Sequence, residues 1–165
     1  MRQILFRGKN KETGDWLFGH YSRNTLHTWP LTDVIYPSHD AEAGYLHYEE
    51  IDGKTLGQYT GLNDKNGKPI FEGDVVQYND IMDFDIQSIV CFGEYGQDGS
   101  SGEYNPRRCI GWFVRVDNFT CPDYLESSDF PEYKGEQNLL EVAADCIVIG
   151  NIHDNPELIT DRKGD

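Results

Sequence analysis

Apolar residues in this chain alternate with polar ones over short stretches, the two-residue period of strands rather than the 3.6-residue period of helices. Ile4-Leu5-Phe6-Arg7 predicts a short strand, Gly8 to Gly14 a charged turn, and Asp15 to Tyr21 a returning strand. Trp16, Phe18 and His20 then share one face of this N-terminal hairpin. Residues 22–48 hold two prolines and little periodicity, and Val34-Ile35-Tyr36 is the apolar run there that fits a strand. Asp52-Gly53 predicts a tight turn between Ile51 and Lys54-Thr55-Leu56.

The centre of the pattern is Gln58 to Val76. Asn66-Gly67 predicts a two-residue hairpin loop, because both central positions of the favoured turn need positive φ. Pro69 fixes one φ and withholds an N–H, which places Ile70-Phe71 at a strand edge or turn exit. Glu72-Gly73-Asp74 makes a second turn, and Val75-Val76-Gln77-Tyr78 enters a β-branched strand. A turn followed by Gly-Asp-x-Val at a strand entrance is also how many small SH3-like barrels begin.

Downstream, Ile86 to Phe92 reads as a buried strand and Glu94 to Pro106 as an exposed loop rich in Gly and Ser. Ile110 to Val116 is the clearest strand of the second half, and residues 117–138 form a polar, acidic insertion. Leu139 to Asp145 predicts one or two helical turns, and Cys146 to Ile152 an apolar strand. Asn155 as cap, Pro156 at the first helical position and Glu157 predict a short closing helix. The expected fold is mainly β, an SH3-like barrel with an N-terminal β-hairpin, long acidic loops and a short C-terminal helix. An α+β fold is the alternative. One domain over 1–165 is expected, with residues 1–57 as hairpin and irregular segment and 58–160 as the barrel core.

Composition adds weight to strands and turns: 13% aromatic residues and 17 glycines favour them over a helical bundle. The net charge of −15 narrows the partners. Residues 77–165 carry 6 basic against 18 acidic side chains, so −12 of the charge lies there. Direct nucleic-acid binding needs a basic footprint and is disfavoured. A basic protein partner fits better. Cys91, Cys109, Cys121 and Cys146 contain no Cys-x-x-Cys pair, and no apolar run suits a signal peptide or a membrane span. A cytoplasmic chain with reduced, mostly buried thiols follows, with no membrane partner.

Candidate chemistry is sparse. Asp64, Asn66, Gly67, Glu72 and Asp74 imitate a calcium loop, but an EF-hand begun at Asp64 needs glycine at position six, and Gly67 stands at position four. His20, His27, His39 and His47 are irregularly spaced, and only a meeting of His39, Asp40, Glu42 and His47 in space would offer a metal-dependent enzyme its site. No nucleophile elbow appears, so no catalytic, cofactor or metal residue is assigned. Aromatics near flexible polar loops are the better candidates for a partner surface: Tyr59, Tyr95, Tyr104, Trp112 and Tyr124. Asp123, Glu126, Asp129 and Glu132, recurring every three residues, add an acidic array to that surface, which could also imitate nucleic acid toward a host DNA-binding protein.

Taken together, Gln58-Tyr59-Thr60-Gly61-Leu62, Asp64-Lys65-Asn66-Gly67, Glu72-Gly73-Asp74, Ile149-Gly150-Asn151-Ile152 and Asn155-Pro156-Glu157-Leu158 resemble, in order, the pattern of the YopX family of phage and prophage proteins. Phe6-Arg7 and Thr13-Gly14-Asp15-Trp16 fit the family's opening, while the loops 94–106 and 117–138 depart from it. The resemblance implies a cytoplasmic, largely β protein and carries over no catalytic residue. A non-enzymatic protein-interaction module that forms a homo-oligomer is the expectation.

Overall fold

A computed structural model describes residues 4–24, 31–37, 47–79, 85–97, 107–115 and 136–159. Mainly β is what it shows. The chain divides into two compact units, Met1–Gly61 and Leu62–Asp165.

In the first unit, β1 (Phe6–Asn10) and β2 (Trp16–Asn24) form the expected hairpin. Its turn holds because Asn10 Oδ1 accepts the Glu12 and Thr13 amides while Gly14 takes φ 77°. β3 (Thr32–Pro37) pairs with β2, and β4 (Glu49–Asn63) pairs with both β3 and β1. The four strands therefore close a ring of pairings. Val34, Ile35 and Ile51 are fully buried there. Gly8 packs directly on Ile51, and a Cβ at Gly19 would strike the carbonyl oxygen of Tyr36.

Asp52-Gly53 does not end a strand. Arg7 faces Gly57 while Lys9 faces Asp52, so the intervening residues bulge out of a single continuous β4. The turn chemistry is present, with Lys54 N–H donating to Asp52 Oδ1 at 3.1 Å and Thr55 Oγ1 to Asp52 O at 2.7 Å. Thr55 Oγ1 in turn accepts the Lys9 amide at 2.8 Å, which ties the bulge back to β1.

In the second unit, the end of β4 turns at Asp64 into β5 (Pro69–Phe71), which lies at the edge of its sheet as Pro69 requires. The loop is three residues long rather than two. Gly67 N–H reaches Asp64 O and Asp64 N–H reaches Lys68 O, both at 2.9 Å, with Gly67 at φ 81°. Glu72-Gly73 then hands the chain to a second antiparallel sheet, with Gly73 at φ 79°. Its strands are β6 (Asp74–Asn79), β7 (Asp85–Gln97), β8 (Arg107–Arg115), β9 (Glu136–Asn138) and β10 (Ile147–Asn151), in the order β10-β6-β7-β8-β9. Among the described residues that order is open, and the chain from Glu72 to Val75 enters a strand of this antiparallel sheet.

One helical turn, α1 (Leu139–Val142), is capped by Asn138 Oδ1 on the Leu140 amide at 2.9 Å. It drops Leu139, Val142, Ala143 and Cys146 onto Ile70, Val76, Tyr78, Val90 and Val114, forming the core of this unit. The closing helix is a 3₁₀ turn, Pro156–Leu158. Asn155 precedes it but makes no side-chain cap: its Oδ1 accepts the Asn151 amide at 3.4 Å, while its Nδ2 donates to Glu157 Oε1 at 3.3 Å.

β7 runs through Glu94 to Gln97 as strand, where a loop was expected. The rest of that loop, residues 117–135 of the acidic insertion and the tail after 159 lie outside the described residues.

Candidate functional site

Two places in the second unit gather side chains of interest. The first is the junction of the turns with β10. Asp64 Oδ1 accepts the Asn66 and Lys68 amides, each at 2.9 Å, and Oδ2 accepts the Val148 amide at 3.0 Å. Lys65 N–H reaches Cys146 O at 3.0 Å, so the hairpin loop is fastened to β10 by backbone and side chain together. Burial of the Asp64 carboxyl pushes its pKa up and is the largest single influence. The three amides and the Lys68 charge together outweigh it, and the pKa is lowered.

Next to it, Asp74 is buried and accepts the Phe71 amide at 2.7 Å, which shapes the Glu72-Gly73 turn. Asp74 faces Asn151 across β6 and β10, and Ile152 N–H closes onto Gly73 O at 2.9 Å. Asn151 Oδ1 accepts the amides of His153 and Asp154 at 2.9 and 3.0 Å, while its Nδ2 donates to Asp154 Oδ2 at 2.8 Å. Backbone N–H dipoles surround the Asp64 carboxylate, an arrangement that suits an anion and works against a calcium ion. As chemistry, this junction is a fastening. The lowered pKa keeps Asp64 ionised, and both Asp64 and Asp74 are engaged by backbone amides.

Second comes the ribbon that β7 and β8 form beyond their neighbours. β6 pairs with β7 only as far as Ile89, and β9 pairs with β8 only from Phe113. On one face Tyr95 stacks on Phe113, with ring centroids 5.2 Å apart and planes at 17°. Phe113 lies against Gly93, which faces Gly111 across the ribbon. On the other face Phe92 meets Trp112 edge-on at 4.9 Å. Phe92 is 56% exposed and Ile110 is 80% exposed. The Trp112 indole N–H is buried and meets no acceptor among the described residues.

The aromatics proposed from sequence are thus not one surface. Tyr59 is half-buried in β4 of the first unit, with its amide bonded to Leu5 O. Tyr95 is a correction: it is buried in a strand, because the flanking glycines serve the stack on Phe113 rather than a loop. Burial also raises its hydroxyl pKa, with Cys109 adding to the effect. Trp112 packs against the core from the ribbon. Tyr104, Asp123, Tyr124, Glu126, Asp129 and Glu132 lie outside the described residues, as do His27 and His39 to Glu42, while His47 is exposed. Groups of three or more His, Cys, Asp or Glu fit to hold a metal are absent among the described residues. Phe92 and Ile110 were missed, although Ile110, Trp112 and Val114 already alternate in sequence.

The turns joined at β10 are among the segments that carried the sequence resemblance, and a family model described as YopX protein matches residues 5–160. The chain belongs to the YopX family. Four of its YopX segments, around Asp64, Asp74, Asn151 and Asn155, thus meet in space as a structural junction. Among solved structures, protein EF1440 from Enterococcus faecalis is 20% identical to this YopX chain, with a TM-score of 0.46 over 97% of this chain and 100% of that one. Curated proteins contain no match to it. In this YopX chain no described helix is long and apolar enough to cross a membrane.

Proposed function

We propose that this YopX-family chain is a non-enzymatic, cytoplasmic phage or prophage accessory protein that acts by binding other proteins. The observation that carries the reading is the pair of exposed apolar side chains on the ribbon, Phe92 and Ile110, held on strands rather than on a loop. Aromatic and aliphatic side chains fixed in this way lose little entropy on contact, which suits recognition. The buried carboxylates of the junction support it further, since backbone amides already engage them. The charge of −15 favours a basic host protein as the heterologous partner.

Affinity capture from a lysate of the phage-bearing host, at low and high salt, tests this. Retention of one basic protein, weakened by salt, is the expected result. Turnover of a small molecule or nucleic acid by the purified chain would overturn it.

A further inference from the structure

We propose that Asn66-Gly67 is a self-modification site, at which the asparagine becomes aspartate or isoaspartate, and that Asp64 guards it. The inference stands apart from what the chain binds. Asn66 alone among the asparagines of this chain precedes a glycine, whose missing side chain leaves the backbone nitrogen approachable. In the reaction the Gly67 nitrogen gives up its proton and attacks Asn66 Cγ. A five-membered imide closes, and Nδ2 leaves as ammonia. Water then opens the imide at either carbonyl, which yields the two acids and adds one negative charge. Asn66 and Gly67 are both exposed, and a Cβ on Gly67 would meet nothing within 4 Å, so ring and water have room. Asp52-Gly53 offers the same spacing without that room. The Asp33 carboxylate crowds Gly53, and Asp52 Oδ1 already accepts the Lys54 amide.

The folded turn holds this reaction back. Asn66 and Lys68 N–H both donate to Asp64 Oδ1, and Gly67 N–H donates to Asp64 O, each at 2.9 Å. The nucleophile is thus the middle one of three consecutive amides bound to a single residue. It swings toward Asn66 Cγ only when that set lets go, a local opening of the turn. Asp64 is itself fixed from two sides, by the Val148 amide on its Oδ2 and by its own N–H on Lys68 O. Arrival of β10 therefore restrains the chemistry at residue 66. The products do not rebuild the turn. Isoaspartate puts an extra carbon into the backbone between the amides of 66 and 67, and either acid sets a second carboxylate beside Asp64. Each opening that ends in reaction leaves the junction permanently weaker.

Peptide mapping by mass spectrometry of the whole chain, aged at mildly alkaline pH, reads the acid gained at residue 66 and its split between aspartate and isoaspartate. The same chain unfolded in guanidinium chloride sets the unguarded rate. Folded wild type is expected to react more slowly than that, and Asp64→Ala to react about 30-fold faster than folded wild type, the weight of the bonds lost to the turn. Leu139→Ala weakens the core of the same unit and leaves the turn's bonds in place, so it should react no faster than wild type. Asn66→Gln should stay unmodified at 66. Amide exchange at Val148 should rise in step with isoaspartate in aged wild type. A folded wild type as fast as the unfolded chain overturns the proposal, as does an Asp64→Ala chain no faster than wild type. So does a Leu139→Ala chain that gains as much as Asp64→Ala, because reaction would then follow unfolding of the whole unit rather than release of the turn.

Discussion

The two units solve the problem of strand edges in opposite ways. In the first, β1 bonds to β2 on one side and β4 on the other, so the four-stranded ring uses up its edges. In the second, the order is open, and two long strands run past their neighbours with apolar side chains in the open. Closure demands tight backbone approach, seen at Gly8 and Gly19. An open sheet demands a separate lid for its core, and α1 supplies it. The difference teaches that one unit is limited by sterics and the other by burial.

Core truncation should show the burial limit most strongly. Leu139→Ala removes a fully buried side chain and is expected to cost about 3–4 kcal/mol. Denaturant unfolding, with amide exchange to localise the loss to residues 62–159, checks it. Gly19→Ala should show the steric limit, at about 3 kcal/mol, since the new Cβ meets the Tyr36 backbone, which cannot move without breaking β2 from β3. Gly53→Ala sharpens the contrast. Its Cβ would meet the Asp33 carboxylate, a side-chain end that can swing aside, and about 1 kcal/mol is expected. That swing would release the Tyr21 hydroxyl from Asp33, a bond of 2.7 Å that raises the Tyr21 pKa, so tyrosine titration in the variant should fall back toward normal.

Asp64→Ala comes next. It strips three amides of their acceptor and is expected to cost about 2 kcal/mol near neutral pH. Because the folded carboxyl pKa is lowered, its stabilisation is present above the unfolded value and is lost as pH falls through the folded one. Acid unfolding curves of wild type and variant should therefore converge at low pH. The smallest effect lies at the other end of the scale. Burial, with Asp64 nearby, raises the Cys146 thiol to about 11. The native state is fully stable below the ordinary thiol range and loses ground as pH rises through about 11. Cys146 should resist alkylation in the folded chain at mildly alkaline pH, and mass spectrometry after brief labelling reads this.

What sequence reveals here is local. Glycine and asparagine near position 67, Pro69 and the β-branched run after Asp74 each act within a few residues; the turn, the edge strand and the strand all formed, the turn one residue longer than expected. Asp52-Gly53 failed as a strand boundary because turn chemistry and a bulge share the same residues, and only pairing with β1 tells them apart. Tyr95 failed because Gly93 and Gly96 look like loop residues until Gly111 is known to face Gly93. The ribbon face was invisible for the same reason. Ile110 is apolar in a strand, and nothing in its neighbours shows that β6 and β9 stop short of it.

The bond between Asp64 and the Val148 amide joins positions 84 residues apart. A ribosome making this chain releases the Asp64 turn long before it releases Val148. Until then the carboxylate can hold only its own loop, through Asn66 and Lys68. Completion of the junction is thus a late event in synthesis, set by the arrival of β10, and nascent chains halted before Val148 should keep the turn exposed to proteases.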